Sequence, residues 1–219
     1  MASSKKHPAL SGLSIESLDL AEAMSVPTEL VRAVRQKVAD DGAAATSEAV
    51  CATLTFLAQA LSAKAVVEIG TGPGVSGLAL FAGMAGDGVL TSIDAETDWQ
   101  IAARAAFTSA GVASQRFRLI AGMALDVLPK LRDGAYDLVF VNGDKLEYVE
   151  YLAQAARLLR PGGVMVLNDV LWHNLTADRD NDDDQAFIMR EALDAARQDD
   201  TFASIVIPLG DGLLVAAKR

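Results

Sequence analysis

From Ala65 onward the sequence alternates short apolar runs with helix-spaced stretches, and only its last two runs break the alternation. Apolar runs at Ala65–Ile69, Val89–Ile93, Phe117–Ala121, Tyr136–Val141 and Val164–Leu167 read as buried strands. Helical patterns lie between them at Val75–Ala85, Asp98–Ala110, Ala124–Leu131 and Tyr148–Leu159, with another at Phe187–Gln198. Strands separated by helices pack as right-handed parallel crossovers, with helices covering both faces of one doubly wound sheet. The final runs, Ala203–Pro208 and Leu213–Lys218, are joined only by Leu209-Gly210-Asp211-Gly212. That link is too short for a crossover, so the pair must be antiparallel. The expected class is α/β, with a mostly parallel seven-stranded sheet closed by a C-terminal antiparallel hairpin.

Upstream, helical spacing appears around Ile15 to Met24. It appears again from Pro27-Thr28-Glu29 to the stop at Asp40-Asp41-Gly42, and a third time after the capping signal Thr46-Ser47-Glu48. Residues 1 to 12 read as a mobile tail without the apolar core of a leader peptide. No run approaches about 18 uninterrupted apolar residues, so a cytoplasmic protein with no membrane partner is expected. The net charge of −10 argues against a nucleic-acid partner, because such a surface repels phosphates. The single cysteine, Cys51, lies in a helical apolar stretch and reads as a buried structural thiol.

The first strand runs into "EIGTGPGVSG", Glu68 to Gly77. Read from Gly72, the stretch matches a dinucleotide fingerprint in form. A diphosphate, however, needs free backbone N–H groups at the strand end. Gly72 comes late for that role, Pro73 has no N–H, and Glu68 adds a carboxylate. A sulfonium nucleoside has no phosphate and tolerates acids. Asp94 ends the second strand, roughly 20 residues on, where an acid can accept ribose hydroxyls. The loop therefore favours S-adenosylmethionine (SAM) over a nicotinamide dinucleotide.

Six blocks in order carry a family resemblance: "VVEIGTGPGVSGLAL", "LTSIDAE", "RLIAGMALDVLPKL", "YDLVFVNGDKLEYVEYL", "LLRPGGVMVLNDVLWH" and "IPLGDGLLVAAKR". From about Ala44 to the C-terminus the chain resembles the cation-dependent O-methyltransferases of the catechol and caffeoyl-CoA type, in their small bacterial branch. The resemblance implies a Rossmann-like class I methyltransferase fold. One domain would span residues 1–219, with an N-terminal helical cap over 13–62 and a SAM-binding core over 63–219. It also implies a homodimer. Thr46, Glu68, Gly70, Thr71, Gly72 and Ser76 would hold the methionine end of SAM. Asp94 and Ala95 would take the ribose, Ala124 would form the adenine wall, and Asp144 would be a second acid facing the cofactor. Lys145 matches a lysine that acts as general base or as an electrostatic aid to phenolate formation.

Two departures bear on catalysis. The family writes D-A-D-K after the fourth strand and D-N-x-L-W after the fifth, and three of those side chains ligate Mg²⁺ or a similar cation. Here the segments read Asn142-Gly143-Asp144-Lys145 and Asn168-Asp169-Val170-Leu171-Trp172. The corresponding metal set, Asn142, Asn168 and Asp169, has one carboxylate instead of two. Hard divalent ions favour anionic oxygens. Two unit charges about 4 Å apart are worth roughly 4 kcal/mol at an effective dielectric near 20, so a metal should be weakly held or absent. Lys145 and Asn142 are then the candidate catalytic residues, with His173 as a candidate helper. Trp172 reads either as a wall for a flat substrate or as core. The acidic run "DRDNDDDQ", Asp178 to Gln185, lacks the spacing of a calcium loop and reads as a solvated cap on the next helix.

The expected activity is SAM-dependent O-methyl transfer to a hydroxyl of a small phenolic or catechol-like acceptor. Two alternatives stay open at this point: a SAM-binding sensor or assembly partner without catalysis, and a nicotinamide-dependent oxidoreductase.

Overall fold

The computed structural model describes residues 14–24, 26–40 and 45–219. The tail expected over residues 1 to 12 lies outside these, as do Asp41 and Gly42. Three helices come first: α1 (Ile15–Glu22), α2 (Glu29–Asp40) and α3 (Glu48–Ala60). The alternating part follows as β1 (Ala65–Ile69), α4 (Val75–Gly83), β2 (Val89–Asp94), α5 (Thr97–Ser109), β3 (Phe117–Ala121), α6 (Ala124–Val127), β4 (Tyr136–Val141), α7 (Tyr148–Leu158) and β5 (Leu159–Asn168). Helix α8 (Asp184–Gln198) leads into β6 (Phe202–Ile207) and β7 (Leu213–Lys218). The seven strands form one sheet in the order β3-β2-β1-β4-β5-β7-β6. The pairs among β1 to β5 are parallel, and β7 runs antiparallel to both β5 and β6, as expected for the closing hairpin.

Strand alternation divides the core between two faces. Val66, Leu138, Phe140 and Val166 point to a layer built from α3, α4 and α5. Val67, Ile69, Val139, Val141 and Leu167 point to the layer of α7 and α8. Helix α3 packs on α4 backbone to backbone. A Cβ at Gly83 would lie 2.1 Å from the Thr55 carbonyl, and the Thr55 hydroxyl donates to Ala79 O at 2.8 Å. Ser47 caps α3 by accepting from Val50 N–H. Cys51 is buried here, and burial pushes its thiol up to about 11, which leaves it inert as a nucleophile.

Two expected elements differ. The helix expected over Ala124–Leu131 is a single α turn followed by a 3-10 turn over Leu128–Lys130. Pro129 has no N–H to continue the α ladder, and the chain tightens instead. Arg160-Pro161-Gly162-Gly163, expected to separate helix from strand, lies inside β5. Leu159 pairs with Tyr136 and Val164 with Leu138, so the four residues between form a bulge with Gly162 at φ +75°. Among the described residues no helix is long and apolar enough to cross a membrane.

Candidate functional site

One row of paired residues positions the site. Ile93, Ile69, Val141 and Leu167 lie side by side across β2, β1, β4 and β5. The next residue on each strand is Asp94, Gly70, Asn142 or Asn168. Four strand ends thus deliver four candidate residues to the same carboxyl edge. The strand order reverses between β1 and β4, which is where doubly wound sheets open a crevice. A cavity of about 300 Å³ occupies that crevice, a volume at the small end of ordinary ligand sites.

Thr46, Gly70, Thr71, Gly72, Ser76, Asp94, Asn142 and Asp144 all line this cavity. Gly70 lets the ends of β1 and β4 meet: its φ is +88°, and a Cβ there would stand 2.2 Å from Asn142 O. Three glycine N–H groups of the loop are engaged internally. Gly70 N donates to Ile93 O, Gly74 N to Thr71 O, and Gly72 N to Asp94 Oδ2 at 2.9 Å. Asp94 Oδ1 accepts from Glu96 N. Asp144 caps the 3-10 turn over Lys145–Glu147 by accepting from Leu146 N. The wall also contains Glu96 and Trp99, which the motif comparison missed. The available signal was an aromatic residue in the first turn of the helix after the β2 acid.

Glu68 belongs to a different layer. It is fully buried and does not line the cavity. It shares the α4 face of β1 with Val66 and pairs in register with Ser92. Ser76 Oγ donates to Glu68 Oε1 and Ser92 Oγ to Oε2, both at 2.6 Å. The Thr71 hydroxyl lies 2.6 Å from Ser92 Oγ and accepts from Gln100 Nε2 at 3.0 Å. Desolvation raises the Glu68 carboxyl to about 7, against the lowering effect of the two serine hydroxyls. Glu68 therefore acts through Thr71 and Ser76, the two cavity hydroxyls it fixes. Ala95 is exposed beside the cavity without lining it, and Ala124 is buried in the α7 layer.

On the β4–β5 side the four candidates converge. Lys145 Nζ lies 3.2 Å from Asn142 Oδ1, 2.8 Å from the Tyr148 hydroxyl and 2.9 Å from Asp169 Oδ2. An ammonium has three protons, and each has an acceptor. Asn168 Nδ2 donates to Asn142 Oδ1 at 3.0 Å, and the Tyr148 hydroxyl donates to Asn168 O at 3.0 Å. Burial raises the Tyr148 phenol well above its ordinary range, so it stays protonated. Tyr148 was another residue the sequence did not mark, because it reads simply as the start of α7. Asp169 has a left-handed φ of +59°, as do Trp172, His173 and Asn174 at +41°, +53° and +67°. Strain of this kind is kept where neighbours over-determine it. Here Val170 N and Leu171 N donate to Gly212 O and Asp211 O of the β6–β7 turn.

The remaining candidates lie outside. His173 has a 73% exposed side chain, pairs with Asp211 and does not line the cavity. Trp172 packs on the α8 layer, and its indole N–H donates to Asp183 Oδ1 at 3.0 Å. Asp183 also caps α8 through Ala186 N, the role expected for the acidic run.

The cation implied by the resemblance does not fit this donor set. One carboxylate and two neutral amides are present, and the carboxylate already pairs with the ammonium. A divalent ion about 4 Å from Nζ would meet roughly 8 kcal/mol of repulsion at an effective dielectric near 20. Asn168 Oδ1 is buried without a partner, but it is a neutral amide oxygen, and the one carboxylate of the set is engaged by the ammonium through Oδ2. Among the described residues no cluster of three or more His, Cys, Asp or Glu could hold a metal.

The O-methyltransferase family profile matches residues 17–219. A relative from Mycobacterium sp. (strain JLS), named "Putative O-methyltransferase", is 45% identical over 189 residues, which cover 86% of each chain. A solved protein of Corynebacterium glutamicum superposes with a TM-score of 0.84 at 30% identity, covering 91% of this chain and 94% of its own. The O-methyltransferase TomG of Streptomyces achromogenes, involved in tomaymycin synthesis and solved with SAM, gives 0.83 at 25% identity, with 92% and 95% covered.

Proposed function

The chain belongs to the O-methyltransferase family as a SAM-dependent enzyme, and from that premise we propose that it methylates a hydroxyl of a small phenolic or catechol-like acceptor. One observation carries the cofactor side. The cavity wall holds Asp94, Glu96 and Asp144 and no basic side chain, and the N–H groups of Gly70, Gly72 and Gly74 are engaged inside the protein. With its glycine N–H groups turned inward, the loop is poorly suited to a diphosphate, while its carboxylates suit a cationic nucleoside. In this reading Thr46, Thr71 and Ser76 face the methionine end, Asp94 and Glu96 accept from the ribose, and Trp99 offers a flat face to the base.

Bound there, SAM supplies a sulfonium-activated methyl group whose departure needs no protonation. The protein's work is therefore to align the acceptor and hold its oxygen as an anion. Lys145 carries that charge work, because Asn142 links its ammonium to the cavity wall. Glu68 is a positioning residue that holds Thr71 and Ser76 in place. The helices of residues 15–60 and the sheet act as one domain, which the α3–α4 packing supports.

A second groove, about 1030 Å³ and mainly apolar, lies along α1 to α4 beside the exposed Phe56. We place the homodimer contact on this helical face, and light scattering of the purified chain with Phe56→Asp should show loss of the dimer.

Calorimetric titration tests the cofactor reading. S-adenosylhomocysteine should bind in the micromolar range and NADH should give no heat. Tight NADH binding without S-adenosylhomocysteine binding would overturn it. Transfer of a labelled methyl group to simple phenols tests the acceptor class.

A further inference from the structure

Of the three positions that the resemblance gives to a divalent ion, two, Asn142 and Asp169, meet an ammonium here, and the third, Asn168, holds one of them. We propose that Lys145 Nζ is the resident cation of this site, and that it serves an acceptor with a single ionisable phenolic oxygen, without a metal and without a vicinal hydroxyl. The inference rests on the phenolic O-methyl transfer proposed above.

Charge is the first ground. With Asn at position 142, Lys145 and Asp169 cancel, so the cluster is neutral and complete as it stands. An aspartate at 142 would leave a net negative charge for a metal to neutralise. Geometry is the second. Two of the ammonium's three acceptors are locked from behind, since the buried Tyr148 hydroxyl also donates to Asn168 O and Asn142 Oδ1 also accepts from Asn168 Nδ2. Asp169 is different: its side chain is 28% exposed against 12% for Lys145, and it sits on the left-handed segment after β5. It is the exchangeable partner. A phenolate oxygen taking its place at Nζ preserves the charge balance and the third hydrogen bond.

That exchange sets the specificity. A metal with several open positions can grip two adjacent oxygens. An ammonium with two protons held by the protein offers one position, so a second hydroxyl adds nothing at this cation. In the reaction, the phenol's proton leaves to water and its oxygen bonds to the methyl carbon as the carbon–sulfur bond breaks. The bonding pair stays on sulfur. Phenolate and sulfonium charges cancel, giving a neutral ether and a neutral thioether.

The test is paramagnetic resonance of Mn²⁺ added to the full chain with S-adenosylhomocysteine, run beside turnover of a monophenol and its ortho-dihydroxy counterpart in a chelator. The free Mn²⁺ signal should stay undiminished at micromolar ion, and monophenol turnover should be unchanged by the chelator. Loss of the Mn²⁺ signal, abolition of turnover by the chelator, or turnover confined to vicinal diols would each overturn the proposal. If S-adenosylhomocysteine binds but no phenol is methylated, the acceptor class is wrong, and the Mn²⁺ signal still decides which cation belongs here. Asn142→Asp combined with Lys145→Ala installs the second carboxylate and removes the ammonium, so this double variant should gain Mn²⁺ binding. A folded double variant as silent as the parent would refute the claim that the ammonium excludes the ion. Should it not fold, the parent's signal decides alone.

Discussion

Near the end of β1 a carboxylate is buried whole and met only by hydroxyls, whereas after β4 a partly buried ammonium is met by a carboxylate, an amide and a phenol. The two regions are one strand apart, and their charges are handled in opposite ways. Glu68 has no cation beside it, so burial raises its pKa to about 7, and it behaves as a near-neutral scaffold. Lys145 has an acceptor for each of its ammonium protons. The difference shows that a charged side chain at a strand end can serve either as a scaffold or as a working charge. Its partners and its depth decide which, not its residue type.

The largest expected effect is on the lysine side. Lys145→Met removes the charge at similar length, and kcat should fall by roughly 10²–10³ while S-adenosylhomocysteine affinity holds. Equal loss of affinity would mean that the two regions are not separate. Gly70→Ala attacks the seam between them. With φ at +88° and a Cβ 2.2 Å from Asn142 O, it should cost on the order of 3 kcal/mol in urea denaturation and lower both affinity and turnover.

Glu68 tests the scaffold through pH. Its folded pKa is about 7 against an ordinary value of 4.5, so between those values the unfolded state gives up a proton that the native state keeps. Its stabilising contribution is therefore full below pH 4.5, falls as pH rises to about 7, and is flat above. The total fall is on the order of 3 kcal/mol. Glu68→Gln cannot ionise, so the difference between parent and variant should carry that slope in denaturation curves taken across the range. A flat difference would mean that Glu68 is not the neutral scaffold described. The smallest effect belongs to His173→Ala: stability within about 0.5 kcal/mol of the parent and unchanged turnover, because the ring is exposed on Asp211.

Much of this was legible in the chain. The bounds of β1, β3, β4 and β7 follow from their apolar runs, and the short Gly-rich link fixes the hairpin's direction. Asp94 was legible as a candidate because it ends a strand, and Gly70, Asn142 and Asn168 because they stand in family-like blocks at strand ends, which parallel register brings together. The bulge at Arg160–Gly163 was not, since proline and glycine signal a break equally well whether the ladder resumes or stops. Trp99 and Tyr148 carried no motif of their own.

The sequence by itself determined the alternation, the crossover sense and the residue types at the carboxyl edge, because these follow from local periodicity and chain connectivity. Only the tertiary structure decided that Glu68 stands behind the cavity and that Lys145 pairs with Asp169 across the β4–β5 seam. Strand alternation carries Glu68 under α4, where Ser76 and Ser92 meet it. Asn142 and Tyr148 lie three residues from Lys145 along the chain, but Asp169 reaches it only because β4 and β5 are neighbours in the sheet. Depth and partners arise from such long-range neighbours, and they set whether a carboxyl or an amine is charged.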